Sequence, residues 1–122
     1  MQYGFVIDLT QLNQTNIIHN FTIAGSNDTV TAIAYQGGAT SEQVTAALTG
    51  SGYTAVTARV GNVGMGGFST GGGIGFLAGP YGYAIDRLVA MEVVLPGTGK
   101  QVTATAYNEH SDLFWALRGG GG

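Results

Sequence analysis

The chain has 122 residues, 44% of them hydrophobic, enough for one domain with a modest core and too apolar for a disordered tail. Only 9% are charged, and four basic residues scattered among seven acids leave a net charge of −3, so no basic stripe exists to track a phosphate backbone and nucleic acid is set aside as a partner. Cysteine is absent, which removes disulfides and thiolate metal sites, and no apolar stretch approaches the roughly 18 residues of a membrane span.

In chain order, Tyr3 to Leu9 is rich in β-formers and is expected to be a strand. Met1 to Asp8 has neither a basic region nor a continuous apolar one, so no signal peptide is visible there. N-x-[ST] sequons fall at Asn13, Asn20 and Asn27, completed by Thr15, Thr22 and Thr29. They are compatible with a secreted parent whose leader lies upstream, and equally with chance in a segment rich in Asn and Thr. Ile17 to Ala24 reads as a second strand. Thr29 to Tyr35 reads as a third, with Val30, Ala32 and Ala34 on one face and Thr31, Ile33 and Tyr35 on the other. Gly37-Gly38 breaks it. Thr40-Ser41-Glu42-Gln43 then fits a capping box opening a helix over Ser41 to Leu48, which Gly50 ends.

Glycines, 22 in all against an average of roughly 7% of residues, crowd into Gly61 to Gly75, Gly79 to Gly82 and Gly119 to Gly122. Past the first two runs, Arg87 to Leu95 is nearly all apolar and predicts a strand covered on both faces. Pro96-Gly97-Thr98-Gly99 has turn chemistry and predicts a hairpin to an antiparallel partner over Lys100 to Ala106. Ser111 is expected to cap a last helix, Asp112 to Leu117, with Leu113, Phe114 and Leu117 as its apolar face. Strands, short helices, a glycine-rich stretch and a hairpin make an α+β domain with a mixed or antiparallel sheet. Four glycines directly after a helix turn a chain toward something that follows, so the 122 residues are expected to be part of a longer chain.

Neither G-x-G-x-x-G nor G-x-x-x-x-G-K-[ST] occurs. Gly97-Thr98-Gly99-Lys100 imitates the second only in part, because Gln101 replaces the hydroxyl residue. What stands at the centre is Arg59-Val60-Gly61-Asn62-Val63-Gly64-Met65-Gly66-Gly67-Phe68-Ser69-Thr70-Gly71-Gly72-Gly73-Ile74-Gly75, where apolar residues alternate with glycine as they do not in a flexible linker. Such a stretch can wrap a pyrophosphate with backbone N–H groups, lie against a flat ring without Cβ atoms, or pack closely on neighbouring strands; spacing weighs the ligand and packing readings equally. His19 and His110 have no second ligand at metal spacing, so no metal site is expected. Asp86 is expected to fix a turn, Trp115 to be core, and Arg118 either to approach a phosphate or to cap the last helix.

Val63 to Gly75, followed by Tyr81-Gly82-Tyr83-Ala84-Ile85-Asp86 and by Asp112-Leu113-Phe114-Trp115-Ala116-Leu117-Arg118 with its four glycines, resembles the FAD-binding (PCMH-type) domain of the vanillyl-alcohol-oxidase and berberine-bridge-like flavoproteins. Val6-Ile7-Asp8-Leu9 and Gly37-Gly38-Ala39 to Val44 extend the likeness over nearly the whole chain. The resemblance implies that residues 1–122 are the second of that domain's two α+β parts, truncated at both ends, in an FAD-dependent oxidoreductase whose small-molecule substrate is held by a separate, missing domain. It implies Gly64, Met65, Gly66, Gly67, Gly71, Gly73 and Gly75 as flavin-facing backbone, by N–H donation and clearance, and no catalytic residue within the chain. The histidine to which members often tether FAD would lie upstream of Met1. Some also use a cysteine just before the loop; Val60 stands there, which excludes a second covalent link. Tryptophan is common where this chain has Ser41, and histidine or a small residue near Phe68. The alternative reading is a truncated, non-catalytic chain that binds no flavin on its own, with a binding module for another phosphate ligand as the third.

Overall fold

The computed structural model describes residues 4–121. Two antiparallel hairpins and five short helices follow one another, β1 (Thr15–Thr22), β2 (Thr29–Tyr35), α1 (Ser41–Leu48), α2 (Met65–Thr70), α3 (Ala78–Tyr81), α4 (Ala84–Arg87), β3 (Met91–Val94), β4 (Gln101–Ala104) and α5 (Ser111–Leu117). The α+β expectation holds, as two separate two-stranded sheets, β1–β2 and β3–β4.

The β1–β2 hairpin runs from the Thr15/Tyr35 pair to the Thr22/Thr29 pair. Its register slips between Ile18, opposite Ala32, and Phe21, opposite Val30, so His19 and Asn20 together face Thr31. This is a β-bulge, and Asn20 carries it with a φ of 57°. Asn is one of the few residues that tolerates this left-handed conformation. β2 has the bounds expected of it, whereas β1 starts and ends earlier than Ile17 to Ala24.

α1 matches its expected span, and the capping box is formed: the Gln43 N–H donates to Thr40 Oγ1 at 3.4 Å while the Thr40 N–H donates to Gln43 Oε1 at 2.9 Å. Its apolar residues Val44 and Leu48 are buried with Ala39 and Met65, and Ile17, Ile33, Tyr35 and Phe68 pack around that cluster. The main core therefore lies between one face of β1–β2, α1 and α2.

Four expectations fail for physical reasons. Residues 4–9 form no strand: Phe5, Val6 and Ile7 are exposed and have no ladder partner among the described residues, and β-propensity without a partner makes no strand. Tyr3 lies outside the described residues. The strand expected over Arg87 to Leu95 shrinks to β3, because Arg87 belongs to α4 and 88–90 find no ladder partner among the described residues; β3 pairs there with β4 alone and leaves Glu92 and Val94 exposed, so it is not covered on both faces. Ser111 is the first residue of α5, not its cap; Asn108 Oδ1 accepts from the His110 N–H at 3.1 Å just before the helix. Trp115 is 74% exposed and so is not core.

The β3–β4 turn closes as expected, with the Leu95 N–H donating to the Lys100 carbonyl at 2.9 Å. Phe114 is buried, while Leu113 and Leu117 are half-buried. Asp86 fixes its turn by accepting the Tyr83 N–H at 2.7 Å. No helix among the described residues is long and apolar enough to cross a membrane.

Candidate cofactor-binding surface

The centre of the glycine-rich stretch, for which the sequence offers no helix signal, is the helix α2. Val63 donates back to Val60, the chain crosses α1's start through Ser41 N–H to Val63 carbonyl (2.9 Å) and Met65 N–H to Ala39 carbonyl (2.7 Å), and α2 begins. Gly64 is its N-cap and Gly71 its C-cap. Buried polar contacts hold α2 from beneath. Ser41 donates its hydroxyl to Met65 Sδ at 3.2 Å and accepts the Ala58 N–H at 3.1 Å, which gives a function to the small residue at a position where the resembling proteins commonly have tryptophan. Tyr35 and Ser69 share a hydroxyl–hydroxyl hydrogen bond of 2.7 Å. Burial pushes the Tyr35 phenol above its ordinary value, an effect the Ser69 hydrogen bond only partly offsets.

The seven residues singled out by resemblance divide by what surrounds them. A Cβ on Gly66 would stand 2.5 Å from the Gly37 carbonyl oxygen, one on Gly75 2.1 Å from that of Thr57, and one on Gly73 2.3 Å from Ala84 Cβ. Packing by itself requires glycine at these positions, against backbone at Gly66 and Gly75 and against side-chain atoms at Gly73, whose φ of 77° favours glycine as well. Gly71 meets the Gly67 carbonyl at 3.1 Å, within its own turn. Met65 is buried, and its N–H is committed to Ala39. By contrast, a Cβ on Gly64 or Gly67 would meet nothing within 4 Å. Both are exposed, and the N–H groups of Gly66 and Gly67 donate to no carbonyl among the described residues.

Gly72, not singled out from the sequence, also has open space beside it, at a φ of 113°. A second feature invisible in the sequence is that the C-terminal glycines return here. The N–H groups of Gly119 and Gly121 both donate to the Thr70 carbonyl at 3.0 Å, joining two distant glycine-rich runs into one surface. Arg118 lies with its guanidinium over the Phe114 ring, 4.8 Å from the centroid, and its Nε is buried without a partner among the described residues.

This surface is a ledge of main chain and not a cavity. An apolar cleft of about 440 Å³ opens between β2 and the segment 77–90, lined by Val30, Ile33, Tyr35, Leu88 and Ala90; of the seven residues only Met65 reaches it. Among the described residues no group of three His, Asp or Glu could hold a metal. His19 stacks obliquely on Tyr53, and His110 stands 3.8 Å from the Glu109 carboxylate. The residues present fit a flat, anionic cofactor in one respect: the start of α2 combines open backbone at Gly64 and Gly67 with N–H groups of Gly66 and Gly67 that have no acceptor among the described residues.

A family model described as an FAD binding domain matches residues 1–105. The FAD-linked oxidoreductase pgmH of Aspergillus terreus is 39% identical over 97% of this chain, and an uncharacterised FAD-linked oxidoreductase of Bacillus subtilis, YgaK, is 31% identical over 98%. The chain spans about a quarter of the length of these relatives, 22% and 25%. Among solved structures, a VAO-type flavoprotein of Myceliophthora thermophila superposes on 93% of the chain, and 20% of its own, with a TM-score of 0.83 and 31% identity. The 6-hydroxy-D-nicotine oxidase of Arthrobacter nicotinovorans gives 0.78 and 33%, covering 95% of this chain and 23% of its own. In glucooligosaccharide oxidase of Acremonium strictum, which matches with a TM-score of 0.76 at 31% identity over 93% of this chain and 22% of its own, the FAD carries 6-S-cysteinyl and 8α-N1-histidyl bonds. This chain has no cysteine with which to make the first of them. A match to the family model over most of its length, relatives above 30% identity and the shared fold place the chain in the FAD-binding domain family of the VAO-type, FAD-linked oxidoreductases.

Proposed function

We propose that this chain is the second part of the FAD-binding domain of a berberine-bridge-like oxidase and that it presents the main chain of Gly64 to Gly67 to the cofactor. The observation that carries this reading is the pairing, at the start of α2, of the exposed Gly64 and Gly67, which have open space beside them, with Gly66 and Gly67 N–H groups that have no acceptor among the described residues. Backbone donors and a surface without Cβ atoms suit a pyrophosphate or the edge of a flat ring. The chemistry that bound FAD would supply is oxidation of an alcohol-like carbon by hydride transfer, with oxygen as the final electron acceptor. The role of this chain is to bind and orient: Gly66 and Gly67 donate N–H groups, Gly64 and Gly67 leave clearance, and the Tyr35–Ser69 and Ser41–Met65 contacts keep α2 in place. The small-molecule substrate is held by a domain outside these residues.

A second reading, a non-catalytic chain that binds no flavin alone, is favoured by the exposure of Phe5, Val6, Phe76 and Trp115, apolar area that a larger protein would cover. Absorbance from about 300 to 550 nm, a window that covers the bands of a bound flavin cofactor, separates the two readings. It is recorded on the purified chain after incubation with FAD and desalting. A retained flavin band supports cofactor binding by these residues; an empty spectrum from a folded chain assigns binding to the parent protein only.

A further inference from the structure

The sequons at Asn13, Asn20 and Asn27 take no part in the core or in the glycine ledge, and the fold treats them differently. Asn20 sits in the β1 bulge, where the extra residue is pushed out of the ladder, and its side chain is exposed with no hydrogen-bond partner among the described residues. Asn27 lies in the β1–β2 turn, where Ser26 Oγ accepts from the Asp28 N–H; its own side chain is exposed and without a partner among the described residues. Thr22 and Thr29, which complete these sequons, are exposed as well. Asn13 is different. It is exposed like the other two, but its Nδ2 donates to the Thr10 carbonyl at 3.0 Å and it borders an open groove against Gln43, Ala46 and Ala47 of α1.

We propose that Asn20 and Asn27 are acceptors of N-linked glycans and that Asn13 is not. The donor is a lipid-diphosphate-linked oligosaccharide. The asparagine amide nitrogen forms a bond to the anomeric carbon, the bond from that carbon to the diphosphate oxygen breaks, the lipid diphosphate departs with the electron pair, and the amide releases one proton. Transfer takes place on an extended chain, so the folded protein must afterwards hold a bulky hydrated group in solvent. Asn20 and Asn27 meet that condition without breaking a contact. At Asn13 the folded protein would have to seat the sugar beside the Thr10 contact and the groove against α1, with only one amide N–H left to donate. The proposal is independent of the flavin reading.

The test uses the full-length protein isolated from its native source, treated with peptide-N-glycosidase in heavy-oxygen water and mapped by peptide mass spectrometry. Heavy-oxygen label at Asn20 and Asn27 with none at Asn13 is the expected result. An unlabelled Asn20 or Asn27, or a labelled Asn13, overturns it. Two variants secreted from the same source keep the assignment separate from folding. Asn20→Gly removes the acceptor while preserving the left-handed conformation, and Thr22→Ala removes the recognition hydroxyl while leaving Asn20 untouched. Each is expected to lose the mass of one glycan and retain the Asn27 glycan. Unchanged mass in both overturns the proposal.

Discussion

Residues 29–48 and residues 61–75 build adjoining parts of one core by opposite means. In β2 and α1 the interior is filled by side chains, with Val44 and Leu48 of α1 against Ile33 and Tyr35 of β2. In the glycine-rich stretch Met65 and Phe68 reach the same core, but elsewhere main chain packs on main chain, α2 against the Gly37 turn at Gly66 and the following segment against Thr57 at Gly75. Side chains can be trimmed and the site relaxes in part, whereas backbone at such short range has no room for even one carbon. The second region is thus the less tolerant of the two, although it has the less distinctive side chains.

Substitutions break or sharpen that contrast. The largest effect is expected from Gly75→Ala, whose Cβ would stand 2.1 Å from the Thr57 carbonyl. Forcing the two strands of chain apart should destabilise by roughly 3 kcal/mol, measured by denaturant unfolding; a loss under about 0.5 kcal/mol, the usual scatter at neutral sites, would refute the packing account. Val44→Ala in the side-chain region should cost about 2 kcal/mol, a cavity cost that partial collapse moderates. Should it exceed Gly75→Ala, the comparison is reversed.

Tyr35→Phe links the regions, because it leaves the buried Ser69 hydroxyl without its partner. About 1–2 kcal/mol should be lost at neutral pH. The same variant carries a pH signature. Burial raises the folded Tyr35 pKa above its ordinary 10.0, so its contribution is fully present below that value and declines as pH rises through the folded pKa. The wild-type protein should lose stability above about pH 10, where the unfolded phenol ionises, and Tyr35→Phe should flatten that branch. An identical alkaline profile in both proteins would remove Tyr35 from the account.

The smallest change in stability and the most informative is expected at Gly67→Ala. Open space lies beside this helical glycine, so the substitution should leave the fold intact or stabilise it by about 0.5–1 kcal/mol. FAD retention by the parent protein should nevertheless fall, since the added methyl stands on the ledge. Undiminished flavin content would sink the assignment of Gly67 to the cofactor. Gly66→Ala cannot serve this purpose, because the Gly37 carbonyl alone accounts for a loss of fold.

How much could be read in advance follows from where the determinants lie. The capping box, α1, β2 and the 96–99 turn depend on residues within a few positions of one another, and their sequence expectations agree with the structure. The 4–9 segment and the 87–95 run failed because a strand exists only with a partner, and partnership is not written in either segment. Within the glycine stretch, resemblance marked out the region while the structure sorted it. Glycines required by packing and glycines bordering open space are the same letter, and only their neighbours separate them.

By itself the sequence determined the class of the domain and the helix start at Thr40, because these depend on local patterns and composition, while the motifs from Val63 to Gly75, Tyr81 to Asp86 and Asp112 to Gly122 marked the family by resemblance. Tertiary structure alone decided that Gly119 and Gly121 return to Thr70, that Tyr35 holds Ser69 from beneath α2, and that Gly64 and Gly67 are the open positions on that helix. Each of these joins residues far apart in the chain or concerns the space beside a backbone, and no periodicity encodes either.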